Sequence, residues 1–423
     1  MKTFRKNLKI IAALASVSAI LFACEKDTVL IPEPIPTFTI EDVVIEGQPL
    51  KKITGSIDES ITLENTNAYL LSGLVFVEDT LKIQEGTIIY AATTPLTALV
   101  VNRGAVIFAN GTVGNPIIFT SENELRATAS VGDWGGIHIN GQASLNNRTS
   151  TLVDLIGKYG RTDATFNDSD NSGTIKYVRV EYAGKDMNGS AGAFNLNGVG
   201  SATTLDYIQT YKAGSNGIRF RGGLARIKHA VSTQSIGKGF RWDDGWRGFG
   251  QYWLVHYPET TSDTLTGIEG RSGALDNLPI SAPVISNITI VGLGSMSSDP
   301  QIRGIRFRDS THGKIYNSLI TMCRRGIRAD FSQPYIDEGS LVFANNNLFD
   351  NFPNYYIDSG SAAGSFEDPS FNNTANTITM IGYVGTDPSS PFAISSVNEW
   401  FEVAAYKGAV NLGSDWTTGW IHN

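Results

Sequence analysis

Two pairs of arginines lie 22 residues apart, Arg219 with Arg241 and Arg306 with Arg328. Each fills the same place in a short recurring stretch: "NGIRFRG" (216–222), "KGFRWDD" (238–244), "RGIRFRD" (303–309) and "RGIRAD" (325–330). Glu269 fills that place in "TGIEGRS". If each stretch is a strand stacked on the next, these side chains form one column about 4.8 Å apart per step. The planar guanidinium fork binds carboxylates and sulfates in a bidentate way. The column therefore reads as a groove for an acidic sugar or as a salt-bridge lattice, with Arg221 facing Asp243 and Arg308 facing Asp330.

A second constellation overlaps the first. "RWDDGWR" (241–247) sets the carboxylates Asp243 and Asp244 beside Trp242, Trp246 and Arg247. Such a group suits a sugar or a calcium ion, or a lyase base if an arginine is deprotonated; a bulged turn that launches the next coil is the structural alternative. "DSDNSG" (168–173) begins like a calcium loop through Asp168 and Asp170, but a loop of that kind wants glutamate at its twelfth position, where Arg179 stands. It reads as a turn. The five histidines show no metal-ligand spacing.

The elements that position these residues repeat. "GTIKYVRVEYAG" (173–184) is echoed in "TTLDYIQTYKAG", "ARIKHAVSTQSIG", "PVISNITIVGLG" and "GKIYNSLITMC". Aligning inward residues at Ile175, Leu205, Ile227, Leu254, Ile285, Ile315 and Phe343 gives coils of 22–31 residues. The second strand of each coil gives two apolar columns. One is Phe194, Ile218, Phe240, Ile268, Ile305, Ile327 and Tyr355; the other is Leu196, Phe220, Trp242, Gly270, Phe307, Ala329 and Ile357. Repeats that cannot bury an apolar face alone stack into a solenoid. The coils are too short for propeller blades of 40–45 residues. The sequence thus predicts an all-β, right-handed parallel β-helix over 51–374. Residues 375–423 are read as a last rung and a C-terminal cap built on Trp400, Trp416 and Trp420. Asn287, Asn317 and Asn345 fall in register as an amide ladder.

The N-terminus speaks to location. Lys2, Arg5, Lys6 and Lys9 precede the apolar stretch 10–23, the pattern of a signal peptide. "LFAC", ending at Cys24, resembles the lipobox of bacterial lipoproteins, which implies a diacylglyceryl anchor on that cysteine. Glu25-Lys26-Asp27 resembles the surface-export tag of lipoproteins in SusC/SusD-bearing Gram-negative bacteria, which implies an outer-membrane anchor facing outward. Residues 24–50, with "IPEPIPTF", read as a proline-rich spacer. Removing 1–23 takes away four cations and no acid, so the formal charge moves from −8 to −12, which argues against nucleic acid as a partner. Cys323 is then the one remaining cysteine, and it reads as a small buried apolar residue.

"GDWGGIHINGQA" (132–143), "DNSGTIKYVRVEYAG" (170–184), "FRWDDGWRGFGQYWLV" (240–255) and "SDWTTGW" (414–420) resemble a family of outer-membrane β-helix lipoproteins. The resemblance implies a fold and a location and no catalytic residue. The favoured expectation is a non-catalytic surface lipoprotein without a cofactor other than its lipid. It would bind glycan or serve a SusC/SusD-type, TonB-dependent transporter complex. A polysaccharide lyase or glycosidase, and a structural or adhesive protein, are the alternatives.

Overall fold

The computed structural model describes residues 37–146, 156–161, 164–185, 191–258, 265–273, 277–294 and 303–423. The signal segment, Cys24 and most of the proline-rich spacer lie outside the described residues. Chain order runs straight along the molecule. Among the described residues, ten parallel strands stack in sequence order from Ser56–Ile57 to Arg325–Ala329 in one sheet. A second, bent sheet of seventeen strands closes the coils. The architecture is an all-β parallel β-helix.

Strands begin earlier than the sequence suggests. Thr39–Ile45 and Gln48–Thr54 form an antiparallel hairpin that begins in the segment read as spacer and runs past its end at residue 50, and the second arm pairs in parallel with Tyr69–Leu71. The hairpin supplies the first edge of the solenoid.

The bend of the second sheet has one cause repeated on seven rungs. Tyr177, Tyr207, His229, Tyr252, Asn287, Asn317 and Asn345 all take left-handed backbone, with φ between 45° and 60°. Asparagine and histidine are among the residues that tolerate that region, while tyrosine enters it at a cost. Ring stacking accompanies that strain: Tyr177 lies on Tyr207 and Tyr207 on His229, each at 4.2 Å between centroids, and Tyr252 follows at 5.0 Å. The asparagines fall in register below the aromatics as expected, but they form no amide ladder: their side chains donate to the Tyr406, Phe392 and Ser390 carbonyls of the C-terminal segment instead.

Both interior columns of the ten-strand sheet are as read over their first six rungs. Phe194–Ile218–Phe240–Ile268–Ile305–Ile327 and Leu196–Phe220–Trp242–Gly270–Phe307–Ala329 pair rung by rung and are buried. Tyr355 bridges Ile327, but Ile357 does not continue its column. Its strand turns back on Ser361–Ala362 and leaves the side chain 61% exposed. In the bent sheet the residue between Ile227 and Ile285 is Gly250, not Leu254. Trp253, three residues on, fills the space: a Cβ on Gly250 would lie 2.5 Å from its ring. Gly270 does the same for Trp242 across one rung, at 2.2 Å.

The aromatic tail is not an end cap. Phe366 and Ala363, on a short 3-10 helix, join the interior core beside Phe343 and close the last rung. Residues 375–385 form no strand. From there the chain returns along the outer side of the bent sheet as an apron. Phe401 packs with Tyr316 and Ala344, and Trp420 packs with Val231 and Leu254. Four outward amides clamp it, each accepting from the N–H and donating to the carbonyl of one apron residue. They are Asn347 on Asn376, Asn317 on Phe392, Gln251 on Glu402 and Gln209 on His422. Leu254 is apolar because it faces this apron, and that is why it imitates an interior residue.

Candidate functional site

The arginine column exists, and its neighbours neutralise most of it. In register run Asn195, Arg219, Arg241, Glu269, Arg306 and Arg328. The ion pairs run diagonally rather than straight across. Asp243 takes Arg219 at 2.6 Å and Arg241 at 3.3 Å, where a direct Arg221 pair was expected. Asp330 takes Arg306 at 2.6 Å and also Arg328. Glu269 sits between Arg241 at 4.0 Å and Arg306 at 3.8 Å, and Arg328 reaches Asp358 at 2.9 Å. Asp243 and Asp330 beside the column, and Glu269 within it, offset the repulsion that the stacked guanidiniums would otherwise suffer.

Burial divides this column. Arg219, Arg241, Asp243 and Glu269 are only 4–7% exposed although they point away from the solenoid interior. Burial pushes Arg219 down to about 10 against the pull of Asp243. Burial would raise the Asp243 carboxyl, but Arg219, Arg241 and Arg221 hold it below the usual carboxylate range. Arg221 turns to Tyr159, donating to its hydroxyl at 3.4 Å. This half of the column is packed material.

Several sequence candidates belong to that packing. Trp242 and Trp246 are fully buried inside the coil in one aromatic core, Trp246 stacked on Phe220 and Trp242 tilted against Trp246, so neither offers a face to a sugar. Their indole N–H groups donate to Thr311 Oγ1 at 2.9 Å and to the Ala225 carbonyl at 3.1 Å. Arg247 ties Ser144 and Asp168 together at 2.6 and 3.2 Å. Asp170 accepts from Ser172 and Gln142. Asp168 and Asp170 thus brace turns, and among the described residues no three His, Cys, Asp or Glu side chains converge as metal ligands. Asp244 is partly buried, and burial together with the Asp243 charge pushes it up to about 6.

The other end of the column opens. A cleft of about 720 Å³ is lined by Gly273, Arg306, Arg308, Asp309, Ser310, Arg328, Asp330, Phe331 and Tyr335. Arg308 is the least neutralised cation there: its nearest carboxylates are Asp309 at 3.3 Å and Glu269 at 4.0 Å. At the rim stands Phe331, 80% exposed. Its φ of +49° matches the left-handed position that Gly198, Gly222, Asp244 and Asp309 hold at the ends of other strands of this sheet. A bulky residue in that conformation carries local strain; its N–H donates to the Gly360 carbonyl at 2.8 Å and its ring leans over Gly360. Phe331, Tyr335 and Asp309 were missed in the sequence. The available signal was an aromatic in a turn position otherwise given to glycine or aspartate.

A family model described as a pectate-lyase like beta helix domain matches residues 55–420. The chain belongs to that family. No curated protein and no solved structure matches it. The match spans both the coil and the apron as far as Trp420. A shared scaffold does not by itself assign a reaction.

Proposed function

We propose that this is a non-catalytic binding protein of the cell surface whose ligand is an acidic glycan held in the cleft at Arg306, Arg308 and Arg328. The observation that carries the reading is the pairing of an under-neutralised guanidinium, Arg308, with the exposed ring of Phe331. A sugar carboxylate or sulfate engages the fork, while the apolar face of the ring packs on the aromatic. The remaining arginines hold the platform. Affinity electrophoresis through gels carrying acidic or neutral polysaccharides tests this. Wild type should be retarded by acidic glycan, and Arg308→Gln and Phe331→Ala should each run freely while melting as wild type does. A wild-type protein that migrates freely in every gel ends the proposal.

The family match favours a second reading, a polysaccharide lyase or glycosidase on the same scaffold. It calls for release of unsaturated or reducing ends from an acidic polysaccharide by wild type and their loss in Arg308→Gln.

Location rests on the N-terminal sequence: a diacylglyceryl anchor at Cys24, outward display from the outer membrane, and service to a SusC/SusD-type transporter complex. Cys24→Ser should leave the membrane fraction and fail to take up a labelled fatty acid. A variant that still sediments with membranes removes the anchor from the proposal.

A further inference from the structure

The apron contains a lysine that its ion pair does not explain. Asp387 and Lys407 face each other across an antiparallel bridge, exchanging backbone N–H···O bonds of 3.1 and 2.8 Å. Residues opposite one another in such a pair project their side chains on the same side. The Lys407 side chain is 0% exposed and that of Asp387 4%. An ammonium so placed wants three acceptors. Among the described residues it has the Thr374 hydroxyl at 3.4 Å and Asp387 Oδ2 at 3.8 Å. The carboxylate is equally short of partners: Oδ1 accepts from the Ser389 N–H at 2.8 Å, while Oδ2 has no hydrogen bond. Two buried charges held this loosely are costly, because attraction repays desolvation only with close geometry and further hydrogen bonds.

We propose that Asp387 and Lys407 are joined by an intramolecular isopeptide bond that ties two stretches of the apron to each other. Burial lowers the Lys407 ammonium against the pull of the Asp387 charge. In the proposed step its proton passes to the carboxylate. The neutral amine then attacks Cγ of the Asp387 carboxylic acid. A C–N bond forms, a C–O bond breaks, and the departing hydroxyl leaves as water with a proton from the amine. No oxidant or co-reactant enters. The product is an uncharged amide, which replaces both poorly solvated ions. Residue 388 is proline and has no backbone N–H, so Asp387 cannot lose water instead by closing on its own following amide.

Peptide mass spectrometry on the full chain decides the matter. Cleavage after Glu367, Glu399 and Glu402 separates Asp387 from Lys407 in an unlinked protein, giving peptides 368–399 and 403–423. The linked protein should instead give one branched species whose mass is the sum of the two less one water. Trypsin should also fail to cut after Lys407. Lys407→Arg and Asp387→Ala should each release the separate peptides. Recovery of separate 368–399 and 403–423 from folded wild type, at their sequence masses, overturns the proposal whatever the variants do.

Discussion

Arg219 shows how an outward position can behave as core. Its guanidinium lies 2.6 Å from Asp243 and is 6% exposed. Arg219→Asp would bury a second carboxylate against Asp243 and leave Asp243 with Arg241 alone, and breaking a buried pair in this way costs about 3–5 kcal/mol. Arg308→Gln, at the open end, should cost no more than about 1 kcal/mol. Denaturant unfolding of the two variants checks this, and equal stabilities would mean that the covered half of the column is open to water. Asp244 adds a pH dependence. Its folded value of about 6 lies above the ordinary 3.8, so the fold prefers the neutral acid. That contribution is full below about pH 4 and is lost as pH rises through about 6. Asp244→Asn imitates the neutral acid, so it should stabilise the protein by on the order of 1–3 kcal/mol near pH 8 and not at all near pH 4. A gain that is the same at both pH values would refute the assignment.

At the scale of the strand, interior volume is shared between neighbours. Gly270 is small because Trp242 leans over it from the adjacent rung, with a Cβ position 2.2 Å from the indole. Gly270→Ala should therefore cost about 1–3 kcal/mol through overpacking. Combined with Trp242→Phe, the loss should be smaller than the two single losses added together, a coupling of about 1 kcal/mol or more. Strict additivity in a double-mutant cycle would show that the two do not share the space. This sharing also decides what the sequence could reveal. The ten-strand sheet was legible because apolar interior and polar exterior residues alternate with period two. "FGQYWLVH" (249–256) was not, because Gly250 gives up its interior side chain to Trp253 while Leu254 is buried on the outside. The alternation is lost there, and a shift by four residues preserved the apparent pattern. The cleft was half legible. Its arginines repeat at 22 residues, whereas Phe331 and Tyr335 stand after the strand, where no repeat marks them.

At the scale of the molecule, the apron changes what kind of solenoid this is. Stacked repeats couple only to their neighbours, so a bare array can melt rung by rung. Here one segment is clamped by Asn347 near the last rung, by Asn317 and Gln251 further back, and by Gln209 five rungs from Asn347. Sequence composition could announce that the tail's tryptophans needed an apolar surface. It could not say whether that surface was the end of the coil or its side, since both are apolar and both need cover. Removing residues 375–423 tests the difference. The end of the coil stays closed by Phe366, but Val231 and Leu254 lose their cover, which alone costs roughly 3–6 kcal/mol. The truncated protein should bind a hydrophobic dye, melt at lower temperature and unfold in stages, as circular dichroism and tryptophan emission cease to change together. Trp420→Ala should move the full-length protein part of the way, because its indole covers Val231 and Leu254 while the clamps at Asn347, Asn317 and Gln251 remain. If the truncated chain melted in one step at the full-length temperature, the apron would be a passenger on the coil and not the element that binds its rungs into one cooperative unit.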